Sequence, residues 1–276
     1  MASTVLITGC SSGIGAAAVR HFAAQGWNVA ATLRQPAAAS FEQGKGCVET
    51  FALDVTNPAS VATAVQQALA RFGAIDVLIN NAGYGLFGPF ETATPEVIDR
   101  QMRTNVGGVM AVTQAVLPHM RAQGHGVIIN VASLTGLVAM PLYSLYAASK
   151  FAVVGFSQSL SHELAPLGIR VKVFTPGAVA TDFSGRSLVR TFKGDGEPYA
   201  DSIGKVMAVF QANRAAGGAA STPEQLAQAL YGAATDGSAQ VMYATGEDAH
   251  AALKARHELG DEALLSGVRQ RFGLAG

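Results

Sequence analysis

The 276-residue chain predicts a doubly wound α/β fold, a single domain with a seven-stranded parallel sheet flanked by helices, and three observations carry that prediction. Short β-rich runs alternate with longer helical stretches, and parallel strands need such crossovers between them. Several runs are apolar almost throughout, as in Val127-Ile128-Ile129-Asn130-Val131, which suits a strand covered by helices on both faces. No Pro/Gly/Ser-rich linker divides the chain, and its length is enough to bury one substantial core.

The first strand, Thr4–Thr8, is built on Val5-Leu6-Ile7 and runs into a glycine-rich turn; the helix after it, Gly13–Gln25, carries the helix-prone Ala16-Ala17-Ala18-Val19. Asn28–Arg34 and Val48–Val55 read as the next two strands. A helix follows over Pro58–Phe72, with its proline in the first turn and Asn57 before it as the cap. Val77–Asn80 is the fourth strand, and one long helix is expected over Pro95–Gln123. The fifth and sixth strands, Val127–Val131 and Arg170–Phe174, are separated by a helix over Tyr146–Ala165. A helix over Pro223–Thr235 leads to the seventh strand, Gln240–Ala244. Two stretches break the rhythm: 184–218 and the extension after Gly246.

Composition narrows the partners. With 19 basic against 19 acidic side chains and only 14% charged residues, the chain carries no net charge to hold nucleic acid or an anionic membrane. The N-terminus lacks the basic region and longer apolar stretch of a signal peptide, and no apolar run approaches the ~20 residues that span a bilayer. The two cysteines, Cys10 and Cys47, form no disulfide framework, so a reducing cytoplasm is the expected location. The six histidines show no metal-ligand spacing, and no metal site is expected.

Two motifs carry chemistry. The first strand enters Thr8-Gly9-Cys10-Ser11-Ser12-Gly13-Ile14-Gly15, where glycines let the backbone approach a pyrophosphate and the helix behind them offers free N–H groups and the positive dipole end. Tyr146 and Lys150 stand four residues apart, on one face of a helix. An ammonium beside a phenol favours the phenolate, which lowers its pKa toward the range of a proton-transfer group.

With these motifs in place the sequence resembles the short-chain dehydrogenase/reductase family from Thr4 to about Thr181, which implies a Rossmann fold. The glycine motif looks like that family's Thr-Gly-x-x-x-Gly-x-Gly. Asn80-Asn81-Ala82-Gly83 after the fourth strand, Asn105 in a long helix, Ser133 after the fifth strand, Tyr146 with Lys150, and Pro176-Gly177 after the sixth follow in the family's order. The resemblance implies that Tyr146 exchanges the proton with the substrate oxygen, Lys150 tunes it and binds the nicotinamide ribose, Asn105 holds a water, and Ser133 binds the substrate oxygen. It further implies cofactor contacts from Gly9, Ser11, Ser12, Gly13, Ile14, Gly15, Asp54, Val55, Asn81, Ala82, Gly83, Pro176, Gly177, Val179 and Thr181. Asp54 looks like the acid for the adenine amino group.

Cofactor choice turns on the end of the second strand. NAD-preferring dinucleotide folds place an acid there, whereas this chain has Leu33 and then Arg34, which suits a 2′-phosphate; NADP(H) is expected, with NAD(H) as the alternative. The substrate is expected to be a mostly apolar carbonyl or secondary alcohol bordered by Met140, Tyr143, Phe183 and Phe192. The 184–218 stretch lies where family members carry a substrate lid, and connections this long are commonly functional. A narrower resemblance to the hydroxysteroid and retinol dehydrogenase branch leaves the substrate open. The family also implies a homodimer or homotetramer. A non-catalytic dinucleotide sensor is the competing class, and the complete set of Asn105, Ser133, Tyr146 and Lys150 argues against it.

Overall fold

The computed structural model describes residues 2–38, 41–42, 44–179, 188–193, 198–215 and 220–274. Among them are strands β1 (Thr4–Thr8), β2 (Asn28–Leu33), β3 (Val48–Ala52), β4 (Val77–Asn80), β5 (Gly85–Phe87), β6 (Gly126–Val131), β7 (Ile169–Pro176), β8 (Leu188–Arg190) and β9 (Met242–Thr245). Seven of these form one parallel sheet in the order β3-β2-β1-β4-β6-β7-β9. The chain runs outward from β1 to β3 and then returns to β4 on the other side of β1. The β1–β4 junction is therefore the switch point, where the carboxyl ends of the strands open a crevice.

Both faces of the sheet are covered, as the apolar runs require. Alternate residues of β1 divide between the faces: Val5 and Ile7 pack with Val19 and Phe22 of helix α1 (Gly13–Ala24), whereas Leu6 joins the opposite layer. That opposite layer contains Val65 of α2 (Pro58–Phe72). Helix α3 (Pro95–Met102) leads into α4 (Gly108–Gln123), which adds Val112 and Val116, and α5 (Ser144–Leu164) adds Leu160. Helix α6 (Ala200–Ala215) packs Val206, Met207 and Phe210 with Phe87, and α7 (Pro223–Thr235) brings Leu226 and Leu230 to the α1 layer. The cap at Asn57 forms, its Oδ1 accepting from Ala59 N at 3.0 Å and Ser60 N at 3.2 Å. Among the described residues, no helix is long and apolar enough to cross a membrane.

Several boundaries differ from the sequence reading. The expected helix over 95–123 is broken: Arg103–Gly107 is a π-turn between α3 and α4, a local insertion that such turns mark. The second and third strands stop at Leu33 and Ala52, the last pair in their register, so Arg34 and residues 53–55 lie beyond the sheet. β9 is shifted from 240–244 to Met242–Thr245, matching the partners Val173 to Pro176 on a longer β7. Three-residue strands β5 and β8 pair in parallel as a separate ribbon. The extension after Gly246 folds into α8 (Glu247–Leu259) and α9 (Asp261–Arg271).

Candidate functional site

The glycine turn after β1 is packed against the loop after β4. Gly9 has φ +74°, in the left-handed region, and a Cβ there would lie 2.9 Å from Ala82 Cα. A Cβ on Gly15 would lie 2.6 Å from Asn81 Nδ2 and overlap the Gly9 carbonyl. Asn81 Nδ2 donates to Thr8 O at 2.9 Å and Gly9 O at 3.2 Å, while Thr8 Oγ1 accepts from the backbone N–H groups of Asn81 and Ala82, each at 3.0 Å. The two loops thus form one rigid floor. Gly13 also has positive φ, Ser11 and Ser12 are exposed, and Ser12 makes no side-chain cap on α1, which leaves first-turn N–H groups for a ligand. Ile14 anchors the helix start on the core. The bare glycine cradle at a helix N-terminus fits a pyrophosphate.

Asp54 and Val55 follow β3. Asp54 Oδ1 accepts from Thr56 N at 2.9 Å and Thr56 Oγ1 at 2.7 Å; these bonds hold its carboxyl below the usual range, with the charges of Arg34 and Arg103 adding to the effect. Arg34 is exposed just past the end of β2. Val55 sets how closely α4 approaches, since a Cβ on Gly108 would lie 2.6 Å from Val55 Cγ2.

Ser133 follows β6 in extended conformation, and its Oγ accepts from Thr135 N at 3.1 Å, capping the short turn Leu134–Gly136. It also shares a side-chain hydrogen bond with buried Tyr146. Lys150 Nζ lies 5.7 Å from the Tyr146 ring centroid and donates to Val131 O at 2.8 Å. The expected lowering of the phenol is reversed. Burial pushes Tyr146 up to about 12, the Ser133 bond pulls the other way, and Tyr143 raises it further. Burial likewise pushes Lys150 down to about 8. Desolvation outweighs the attraction that sequence spacing suggested.

Asn105, buried in the π-turn, spends its side chain on neighbours: Oδ1 accepts from Tyr84 N at 3.1 Å, and Nδ2 donates to Tyr84 O at 2.9 Å and Ser149 Oγ at 3.2 Å. Ser149 Oγ in turn donates to Tyr146 O at 2.7 Å. Asn105 therefore ties the loop after β4 to the first turn of α5. Gly83 lies between the two, since a Cβ there would be 3.1 Å from Asn105 Oδ1 and 3.8 Å from Lys150 Nζ.

Pro176 is the last residue of β7, Gly177 N donates to Thr245 O at 2.9 Å, and Val179 bridges to Ser221. Thr181 and Phe183 lie outside the described residues. Met140, Tyr143 and Phe192 come together with Phe87, Leu188, Val206, Met207, Phe210 and Phe272 in one apolar cluster. Its rings reach the phenol: Tyr143 stands 6.0 Å from Tyr146, 5.1 Å from Phe87 and 6.1 Å from Phe210 between ring centroids. The sequence reading missed Phe272, which packs 5.5 Å from Phe210 and brings the C-terminal tail into this wall. An apolar groove of about 360 Å³ runs on between Met140 and α9, lined also by Val268, Arg269 and Leu274.

The short chain dehydrogenase family profile matches residues 3–189. A 3-ketodihydrosphingosine reductase of Bacteroides thetaiotaomicron is 40% identical over 207 residues, covering 75% of this chain and 75% of that protein. A short-chain dehydrogenase from Streptomyces avermitilis superposes with a TM-score of 0.83 at 29% identity, covering 99% of this chain and 100% of the other. A 3-ketoacyl-(acyl-carrier-protein) reductase from Brucella melitensis, solved with NADH, gives a TM-score of 0.73 at 31% identity over 88% of this chain and 96% of that one. With the family profile spanning most of the sheet and its loops, the chain belongs to the short-chain dehydrogenase/reductase family of oxidoreductases.

Proposed function

We propose that the chain is an NADP(H)-dependent ketoreductase that moves a hydride between the nicotinamide and a carbonyl or secondary alcohol of a mostly apolar small molecule. The observation that carries this reading is the buried Tyr146 hydroxyl, bonded to Ser133 at the carboxyl edge of the sheet and facing an aromatic wall. The nicotinamide, when bound, supplies or accepts the hydride.

With its pKa raised to about 12, Tyr146 keeps its proton at neutral pH and can donate it to a carbonyl oxygen. Ser133, fixed by the Thr135 N–H, holds that oxygen beside the phenol. Lys150 would bind the nicotinamide ribose, and Asn105 acts as a positioning residue through Tyr84 and Ser149. The turn from Gly9 to Gly15 with Asn81, Ala82 and Gly83 would hold the pyrophosphate and its neighbourhood. Asp54 and Val55 would contact the adenine, and Pro176, Gly177 and Val179 the nicotinamide. Arg34, with no acid at the end of β2, supports NADP(H) through the 2′-phosphate. The NADH held by the Brucella melitensis structure keeps NAD(H) as a second reading.

The test is a panel of apolar and polar ketones with NADPH and with NADH, followed at the nicotinamide absorbance. Turnover of apolar ketones with a lower KM for NADPH is expected; no oxidation of either cofactor with any carbonyl would contradict the proposal. The same reading places the enzyme in the cytoplasm as a homodimer or homotetramer through α4 and α5, supported by Met110, 41% exposed on α4. Sedimentation of the purified protein checks the assembly.

A further inference from the structure

Helix α8 touches both walls of the site at once. At its start, Asp248 Oδ2 accepts from Ala178 N at 2.7 Å, and its other oxygen lies against Gly177, where a Cβ would overlap it. Asp248 Oδ1 also accepts from Ala249 N at 2.9 Å, within the first turn of α8, where a carboxylate is favoured by the helix dipole. Gly177 and Ala178 are the first residues beyond β7. Eight residues on, about 12 Å along the helix axis, Arg256 Nη1 donates to Leu137 O at 3.2 Å, and its guanidinium lies 5.4 Å from the Phe151 ring centroid.

Both of these partners adjoin the chemistry. Leu137 N donates to Leu134 O at 2.8 Å, closing the turn that Ser133 caps, and Phe151 follows Lys150 on α5. A Cβ on Gly136 would lie 3.0 Å from Lys150 O, so that turn rests directly on the lysine backbone. Leu137 is buried and Arg256 half-buried, which shields the second contact from water.

We infer that Asp248 and Arg256 are positioning residues that make α8 a strap across the site, with Asp248 setting the loop at Gly177–Ala178 and Arg256 setting the turn that orients Ser133 and Lys150. This rests on the reading that the loop after β7 borders the nicotinamide. Each contact is a hydrogen bond to a charged group, whose loss corresponds to roughly a 10- to 100-fold change. The two ends act on different steps. Asp248→Ala is expected to raise the Kd for NADPH by about 10-fold or more, with partial rescue in Asp248→Asn, which retains one acceptor. Arg256→Met is expected to lower kcat by a similar factor while leaving the Kd for NADPH near wild type, with partial rescue in Arg256→Lys.

The test measures NADPH binding by fluorescence titration, kcat with the best ketone, and hydrogen exchange of the Ala178 amide in the cofactor-free protein. Exchange at Ala178 should be slow in wild type and fast in Asp248→Ala, with amides of β6 unchanged. The strap is overturned if the Ala178 amide exchanges equally in both proteins, or if the two variants lower NADPH affinity and kcat together in proportion to lost thermal stability. Failure of wild-type protein to bind NADPH would instead sink the cofactor reading, because the exchange measurement needs no ligand.

Discussion

At the residue scale, the local chemistry follows from burial more than from spacing. Lys150 beside Tyr146 suggests a depressed phenol, yet both groups are taken out of water, and each is pushed toward its neutral form. NADPH affinity should therefore fall as pH rises through about 8, because Lys150 loses the positive charge proposed to face an anionic cofactor. Lys150→Met should bind weakly and show a flat profile between about pH 7 and pH 9, and a titration series checks this; a parallel fall in the variant would remove Lys150 from the account. Arg34→Ala should cut the preference for NADPH over NADH by roughly 10- to 100-fold, and Leu33→Asp should move it further by repelling the 2′-phosphate. Equal KM values for the two cofactors in wild type would end that argument. The residues proposed to meet the ligand were legible because glycine turns and strand ends accept few alternatives. Asp248 and Arg256 were not, since an acid in a helix's first turn and a base near its end read as ordinary dipole partners.

At the scale of elements, apolar runs such as Val127–Val131 announced their strands, because a strand covered on both faces tolerates little else. The π-turn at Arg103–Gly107 left no such trace: residues 95–123 read as one helix from Pro95 onward, although Asn105 meets Tyr84 from within the insertion. The ribbon of β5 and β8 was too short to read, and α8 and α9 are mostly exposed, so little apolar periodicity marked them. The 184–218 stretch reads from the sequence as a substrate lid. In the structure its described parts share their apolar cluster with Phe87 and with Phe272 from the tail. Phe272→Ala should consequently raise the KM for bulky apolar ketones by roughly 10- to 100-fold while leaving small ketones and the Kd for NADPH little changed, as one buried ring contributes roughly 1.5 to 3 kcal/mol. Phe192→Ala should do the same more weakly, being only half-buried. Steady-state kinetics over a size series of ketones checks both, and a uniform rise for all ketones would argue for general unfolding of the wall.

At the scale of the whole molecule, stability depends on groups buried in their neutral forms. Burial pushes the Cys10 thiol from 9.0 up to about 12, and Tyr146 rises from 10.0 to about 12; both keep protons in the folded chain that the unfolded chain releases. Stability is thus lost as pH rises from about 9 to about 12. Lys150 works in the opposite sense between about 8 and 10.5, where the unfolded chain holds the extra proton. The decline should therefore be steepest above about pH 10.5, and urea unfolding of Cys10→Ala should show a shallower loss there than wild type. An identical loss would mean that the thiol is not sealed in the fold. The sheet order brings Gly9, Asn81, Ser133 and Gly177 to one edge, and the strap, the ribbon and the tail surround that edge. The central claim is that this edge presents Tyr146 as the acid in NADPH-driven carbonyl reduction. Its most direct test is the turnover of Tyr146→Phe against wild type with the best ketone, alongside NADPH affinity. Loss of the proton donor should lower kcat by at least ~10²-fold with Kd for NADPH retained; near-native turnover in the variant would contradict the account.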